Sequence, residues 1–194
     1  MSQKTALALT LGNPSGIGPE LALKAWVQRA QLRRPFFLMA DSDHLAALAQ
    51  KLQLDVPLAR CTPGEAHCLF KNALPVVPLK NPVIGLPGKP VTADAAATLE
   101  SIETGVELVH QGRASALVTN PISKAALYEA GFSHPGHTEF LGELALRTFG
   151  IKAQPVMMLW SPELAVVPVT IHVALAQVPK LLTTARIVYT ALIV

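Results

Sequence analysis

The apolar run Ala6 to Leu11 stops at Gly12-Asn13-Pro14-Ser15-Gly16-Ile17-Gly18-Pro19 and gives way to Glu20-Leu21-Ala22-Leu23-Lys24-Ala25-Trp26. No other stretch constrains the fold as much, because it reads as strand, tight turn and helix in that order. Glycine and serine allow close backbone approach, and Pro19 suits the first turn of a helix. The amides of such a turn suit an anion at the helix start. Glycines and prolines at this density also simply build a βα turn. Neither the dinucleotide fingerprint G-x-G-x-x-G nor the phosphate loop G-x-x-x-x-G-K-[ST] is present.

The same alternation continues. Pro35 to Ala40 reads as a second strand, with Asp41-Ser42-Asp43 able to cap a helix over His44 to Leu52. Leu74 to Leu79 is strand-like but carries Pro75 and Pro78, which predicts an edge or a loop. Asn81 to Lys89 reads as a surface connection. Thr92 to Gln111 places Ala95, Leu99, Ile102, Val106 and Val109 at helical spacing, with Thr92 as a cap and Gly112 as a stop. Beyond it come a buried-type strand (Ala114 to Thr119), helices over Lys124 to Ala130 and Thr138 to Phe149, and strands over Val156 to Leu159 and Val166 to Thr170 around a Ser161-Pro162-Glu163 turn. The pattern predicts an α/β fold with a mixed, largely parallel sheet flanked by helices, where ligands gather beyond the carboxyl ends of strands. Val178 to Val194 reads as an apolar helix without a stop. That predicts either a piece of a longer protein or an end that docks on a partner.

Composition narrows the function classes. Of 194 residues, 51% are hydrophobic and 15% charged, and no run of about 20 uncharged apolar residues occurs, which excludes disorder and a helical membrane span. The net charge of +3 is scattered, with Arg33-Arg34 the only basic pair and no interleaved aromatics, so no nucleic-acid groove is expected. The amino terminus lacks the pattern of an export signal, which predicts a cytoplasmic protein with Cys61 and Cys68 as reduced thiols.

Three pieces carry candidate chemistry. In Pro135-Gly136-His137-Thr138-Glu139-Phe140, an imidazole and a hydroxyl meet at a helix start, where they suit phosphate or carboxylate oxygens; Thr138 as a plain helix cap is the alternative. His172, after the apolar run ending in Thr170-Ile171, stands at a strand end favourable for a metal ligand, but one imidazole does not make a metal site and no partner lies at ligand spacing. Asn120 and Lys124, in Val118-Thr119-Asn120-Pro121-Ile122-Ser123-Lys124, reach either an anion or only a helix cap and solvent.

Taken together with the Gly12 to Glu20 opening, these segments resemble, in order and spacing, the 4-hydroxythreonine-4-phosphate dehydrogenase family of vitamin B6 biosynthesis. The resemblance runs over essentially the whole chain and about the first three-fifths of such an enzyme. It implies a truncated two-domain architecture like that of isocitrate and isopropylmalate dehydrogenases, with residues 1–130 as the first domain and 131–194 as the start of a second, dimerising one. It implies that His137 and Thr138 contact a phosphorylated hydroxy-amino acid, and that His172 is one ligand of a divalent metal (Zn, Mg or Co), the other ligands lying outside these residues. NAD or NADP is the implied hydride acceptor, with no residue assigned to it and none assigned a catalytic role. Asn13 stands where the family usually has aspartate. Related enzymes acting on threonate or erythronate 4-phosphate, and a non-catalytic module that binds a phosphate ligand, are the alternatives.

Overall fold

The computed structural model describes residues 5–152 and 154–194, so Met1–Lys4, most of the amino-terminal stretch read above for an export signal, lie outside the described residues. The chain divides into two compact units, Met1–His137 and Thr138–Val194.

The first unit is built on a five-stranded parallel sheet of β1 (Leu7–Leu9), β2 (Phe36–Ala40), β3 (Leu58–Arg60), β4 (Leu74–Pro78) and β5 (Leu117–Val118), in the order β3-β4-β2-β1-β5. Its helices are α1 (Gly18–Val27), α2 (Ser42–Lys51), α3 (Ala66–Leu69), α4 (Ala95–His110) and α5 (Lys124–Glu129). All five residues of β2 are buried, as a central parallel strand requires. On one face Phe36, Leu38 and Ala40 join Leu74 and Val76 under Leu23 and Trp26 of α1 and Leu45 and Leu48 of α2. On the other, Phe37 and Met39 join Ala8 beneath Ala66 of α3 and Leu108 of α4. Gly105 lets α4 come close: a Cβ there would meet Leu117 Cδ1 at 2.3 Å and Met39 Cε at 3.0 Å.

Three expectations are corrected. The Pro-broken strand is β4, an inner strand between β3 and β2. Leu74 N donates to Pro57 O and Val76 O accepts from Cys61 N, so even-numbered residues of β4 turn to β3 and odd-numbered ones to β2. Pairing with β2 starts at Val76, after Pro75, and pairing with β3 ends at Val76, before Pro78. Each proline therefore lacks its donor where no neighbour needs it. Second, the strand expected over Ala114 to Thr119 is only Leu117–Val118, an edge among the described residues rather than a buried strand. Third, Thr92 caps nothing. It opens a 3-10 turn, Thr92–Asp94, ahead of α4, and its hydroxyl donates to Glu129 at 3.0 Å. The strand β3 had no signal in the sequence.

The second unit holds α6 (His137–Phe149), whose first residue belongs to the first unit, then the antiparallel hairpin β6 (Leu159–Trp160) and β7 (Ala165–Val166), α7 (Val178–Leu181) and α8 (Thr184–Ile193). The hairpin turn falls where expected: Ser161 N donates to Leu164 O at 2.8 Å, and Leu164 N donates back to Ser161 Oγ at 3.1 Å. The strand expected over Val166 to Thr170 ends at Val166, because β6 offers only two partners and Pro168 cannot extend a ladder. The helix expected from Val178 is broken at Leu182-Thr183, where Thr183 Oγ1 accepts from Arg186 N at 3.2 Å and restarts it as α8. Trp160 is 71% exposed and Leu192 80%, so much of this unit's apolar surface is uncovered.

Asp41 caps α2 as the sequence predicts, its Oδ1 accepting from Asp43 N at 2.9 Å and His44 N at 3.3 Å, while Oδ2 accepts from Val83 N at 3.3 Å. Burial pushes its carboxyl up, but these amides and the nearby His44 outweigh that and hold it below the ordinary aspartate value. A carboxylate with a depressed folded-state pKa stabilises the fold above its unfolded pKa, and that stability disappears as pH falls through the folded value. Asp41→Ala should therefore lower stability in denaturant melts by about 1 kcal/mol at neutral pH, with the deficit shrinking below pH ~4. An equal deficit at pH 7 and pH 2.5 would remove the charge from this account.

Candidate functional site

The carboxyl end of β1 is where the first unit concentrates its buried polar groups. Thr10 N donates to Val118 O at 3.0 Å, and Asn120, buried just beyond β5, returns two bonds: its backbone N donates to Thr10 Oγ1 at 3.0 Å and its Nδ2 to Thr10 O at 2.8 Å. The amide of Asn120 is thus spent on joining two strand ends, and of the two anion candidates there only Lys124, exposed at the start of α5, faces solvent.

Against this join the Gly12 to Gly18 turn is laid. Gly12 takes φ +69°, and a Cβ on it would meet Asn120 Cβ at 2.6 Å and Pro121 O at 2.7 Å; one on Gly18 would meet Asn120 Cβ at 2.9 Å. Asn13 N donates to Pro121 O at 2.8 Å, and Asn13 Oδ1 accepts from Ser15 N at 3.2 Å. An aspartate would accept that bond equally well, so the departure at Asn13 keeps the turn. Of the amides offered to an anion in the sequence reading, those of Asn13, Ser15 and Gly16 are already bonded within the protein.

Helix α4 supports the turn from below with residues the sequence reading passed over. Ser101 Oγ accepts from Leu11 N at 3.2 Å, and Thr98 Oγ1 donates to Gly12 O at 3.0 Å. Asp94, 3% exposed, accepts from Ile84 N at 2.9 Å and Gly85 N at 3.0 Å, and Ser15 Oγ donates to Lys89 O at 3.1 Å, so the Pro/Gly-rich connection is strapped onto the turn. Glu100 holds the start of the same connection, accepting from Lys80 N and Asn81 N at 2.8 and 2.9 Å. A small polar set on the buried face (Asp94 just before the helix, then Thr98 and Ser101) was the available signal, hidden because hydrophobic spacing was followed instead.

His137 is the first residue of α6 and Thr138 the second, so Thr138 stands past the capping position. The His137 imidazole is half-buried, its Nε2 is shielded from solvent, and that atom has no hydrogen-bond partner. Burial lowers its pKa below the ordinary histidine value, leaving a neutral ring at pH 7. A buried polar atom without a partner at a helix amino terminus is a place where an anion's oxygen is welcome. Nearby, the ring of His134 meets Phe132 edge-on at 5.1 Å.

His172 does not end a strand. It lies exposed in a bend of the second unit, six residues past β7, with φ +55°. Backbone in this region is uncommon for a residue with a Cβ. No three His, Cys, Asp or Glu side chains among the described residues cluster closely enough to hold a metal ion. The residues present thus do not make up a metal centre. Cys61 and Cys68 are both free, and burial, with Glu65 nearby, pushes the Cys61 thiol up to about 11, so it stays protonated.

Comparison with known proteins identifies the family. Residues 31–194 match the family described as pyridoxal phosphate biosynthetic protein PdxA. The chain is 54% identical over 197 residues to a 4-hydroxythreonine-4-phosphate dehydrogenase of Methylorubrum extorquens, with 97% of this chain and 56% of that protein covered. It is 48% identical to the Xanthobacter autotrophicus enzyme of the same name, covering 97% and 54%. The solved structure of a putative 4-hydroxythreonine-4-phosphate dehydrogenase from Salmonella typhimurium superposes with a TM-score of 0.80 at 28% identity, covering 98% of this chain and 59% of that one. The chain therefore spans a little over half the length of these relatives, and it belongs to the PdxA family.

Proposed function

We propose that these residues form part of an NAD(P)-linked dehydrogenase that oxidises 4-phosphohydroxy-L-threonine, with decarboxylation, in the synthesis of pyridoxal 5'-phosphate. The observation that carries the reading on this chain's own side is the shielded, unpartnered Nε2 of His137 at the start of α6. A phosphate monoester supplies acceptor oxygens for an Nε2–H, for the Thr138 hydroxyl and for the first amides of the helix, while the helix dipole favours its charge. A neutral ring suits this work, since it donates from one nitrogen without the cost of a half-buried charge.

When bound, NAD or NADP would supply the hydride acceptor and a divalent ion would supply Lewis acidity at the secondary alcohol. His172 would supply one ligand where about three are needed. The reading therefore gives His172 a share in a metal site completed by residues beyond these 194. It also makes the second unit the beginning of a dimerising domain in a cytoplasmic homodimer, a role that suits the exposed Trp160 and Leu192. No helix among the described residues is long and apolar enough to cross a membrane.

Two outcomes are expected. Assayed alone with NAD or NADP, 4-phosphohydroxy-L-threonine and Mg, Zn or Co, the 194-residue chain should show no turnover above background; full activity would overturn the metal assignment. Followed by NMR, the His137 ring should titrate below the ordinary histidine range in the free chain and move upward when inorganic phosphate is added, because a bound anion favours the imidazolium. Its lowered pKa also means that the unfolded chain takes up a proton first, so the contribution of His137 to stability falls as pH drops below ~6.5. A ring that ignores phosphate would sink the substrate-binding role.

A further inference from the structure

Pro35, just before β2, and Asn72, just ahead of β4, border an open hollow of about 680 Å³ at the end of the sheet opposite the Asn120–Thr10 clasp. Arg29, His67 and Lys71 complete its polar lining, Val27 gives it an apolar wall, and no carboxylate lines it. Arg29 is held in place. Its guanidinium carbon lies 3.8 Å from the centroid of the Trp26 ring, while Nε donates to Lys71 O at 2.9 Å and Nη1 to Trp26 O at 3.4 Å. Trp26 is fixed in turn, buried with its Nε1 donating to Phe70 O at 2.9 Å. Nη2 of Arg29 takes part in neither of its two bonds, and neither Arg29 nor Lys71 forms an ion pair among the described residues.

We propose that this hollow binds a small organic phosphate, with its anion on Arg29 and Lys71 and its apolar body against Val27 and Pro35. Two cations without a counter-charge, in a concavity free of carboxylates, attract an anion. A guanidinium already stacked on an indole and tied to a backbone carbonyl loses little freedom when its remaining N–H groups take up phosphate oxygens. The volume falls in the range of small-molecule sites, and the Val27 wall, 47% exposed, is left wet by a bare inorganic ion. A nucleic acid is a poorer match, because the net charge of +3 is scattered along the chain. Binding here needs neither His137 nor any residue of the second unit.

The test is an NMR titration of the 194-residue chain with adenosine monophosphate as the probe, with adenosine and inorganic phosphate run alongside. The Trp26 indole N–H and the Asn72 amide should shift to saturation with the nucleotide and stay still with adenosine. Loss of a charge-assisted bond in Arg29→Gln should weaken binding about tenfold, and Lys71→Gln, at an exposed side chain, about threefold. Inorganic phosphate should bind more weakly than the nucleotide. Should Arg29→Gln fail to fold, Lys71→Gln carries the comparison. No saturable shift, shifts that the variants leave unchanged, or shifts confined to the start of α6 would overturn the proposal. Inorganic phosphate binding as tightly as the nucleotide would overturn the organic ligand.

Discussion

The bond pair between Asn120 and Thr10 is the constraint on which the rest of the first unit depends. It ties the carboxyl ends of β1 and β5 side to side, and both residues are buried, so each polar atom there must be satisfied by the other. A net hydrogen bond of this kind is worth about 1 kcal/mol, but an abandoned buried partner costs about 1–3 kcal/mol. The asymmetry explains why the layers around it are so specific. Gly12 turns with positive φ because Asn120 and Pro121 already occupy the space a side chain would use. Ser101, Thr98 and Asp94 then carry the order outward, to Leu11, to Gly12 and to the 84–85 amides. An apolar sheet thus ends in a polar clasp, and the clasp sets the shape of the edge at which the turn stands.

The two histidines singled out by the sequence sit in opposite circumstances. His137 is half-buried, neutral at pH 7 and short of a partner; His172 is exposed in a left-handed bend with no companion ligands. Burial at the start of α6 sets the state of the first ring, whereas the second follows only from an exposed bend.

Much of the fold was legible because its signals are local. The β1-turn-α1 unit, β2, the Asp41 cap and the bodies of α4 and α6 follow from apolar period, glycine and proline placement, and a capping carboxylate. What escaped depends on neighbours far away in sequence. β3 is three residues of mixed exposure, which form a strand only because β4 lies alongside. Thr98 and Ser101 break the hydrophobic stripe of α4 for the sake of Leu11 and Gly12, nearly ninety residues earlier. The roles expected of His137, Thr138 and His172 came from the family likeness, whereas spacing alone left each with an ordinary alternative.

The prolines of β4 carry a consequence for how the sheet assembles. Pro75 stands immediately before the stretch that pairs with β2, and Pro78 two residues past the last one that pairs with β3. Sliding β4 so that either ladder ran longer would bring a residue without an N–H opposite an acceptor that expects one. The two rings work as end stops, one for each neighbour. A strand with valine and leucine on both faces could otherwise settle in several offsets of similar burial. Here the alignment of the inner sheet is chosen by what two residues are unable to donate, and an interior strand can tolerate proline because it is the ruler against which its neighbours are measured.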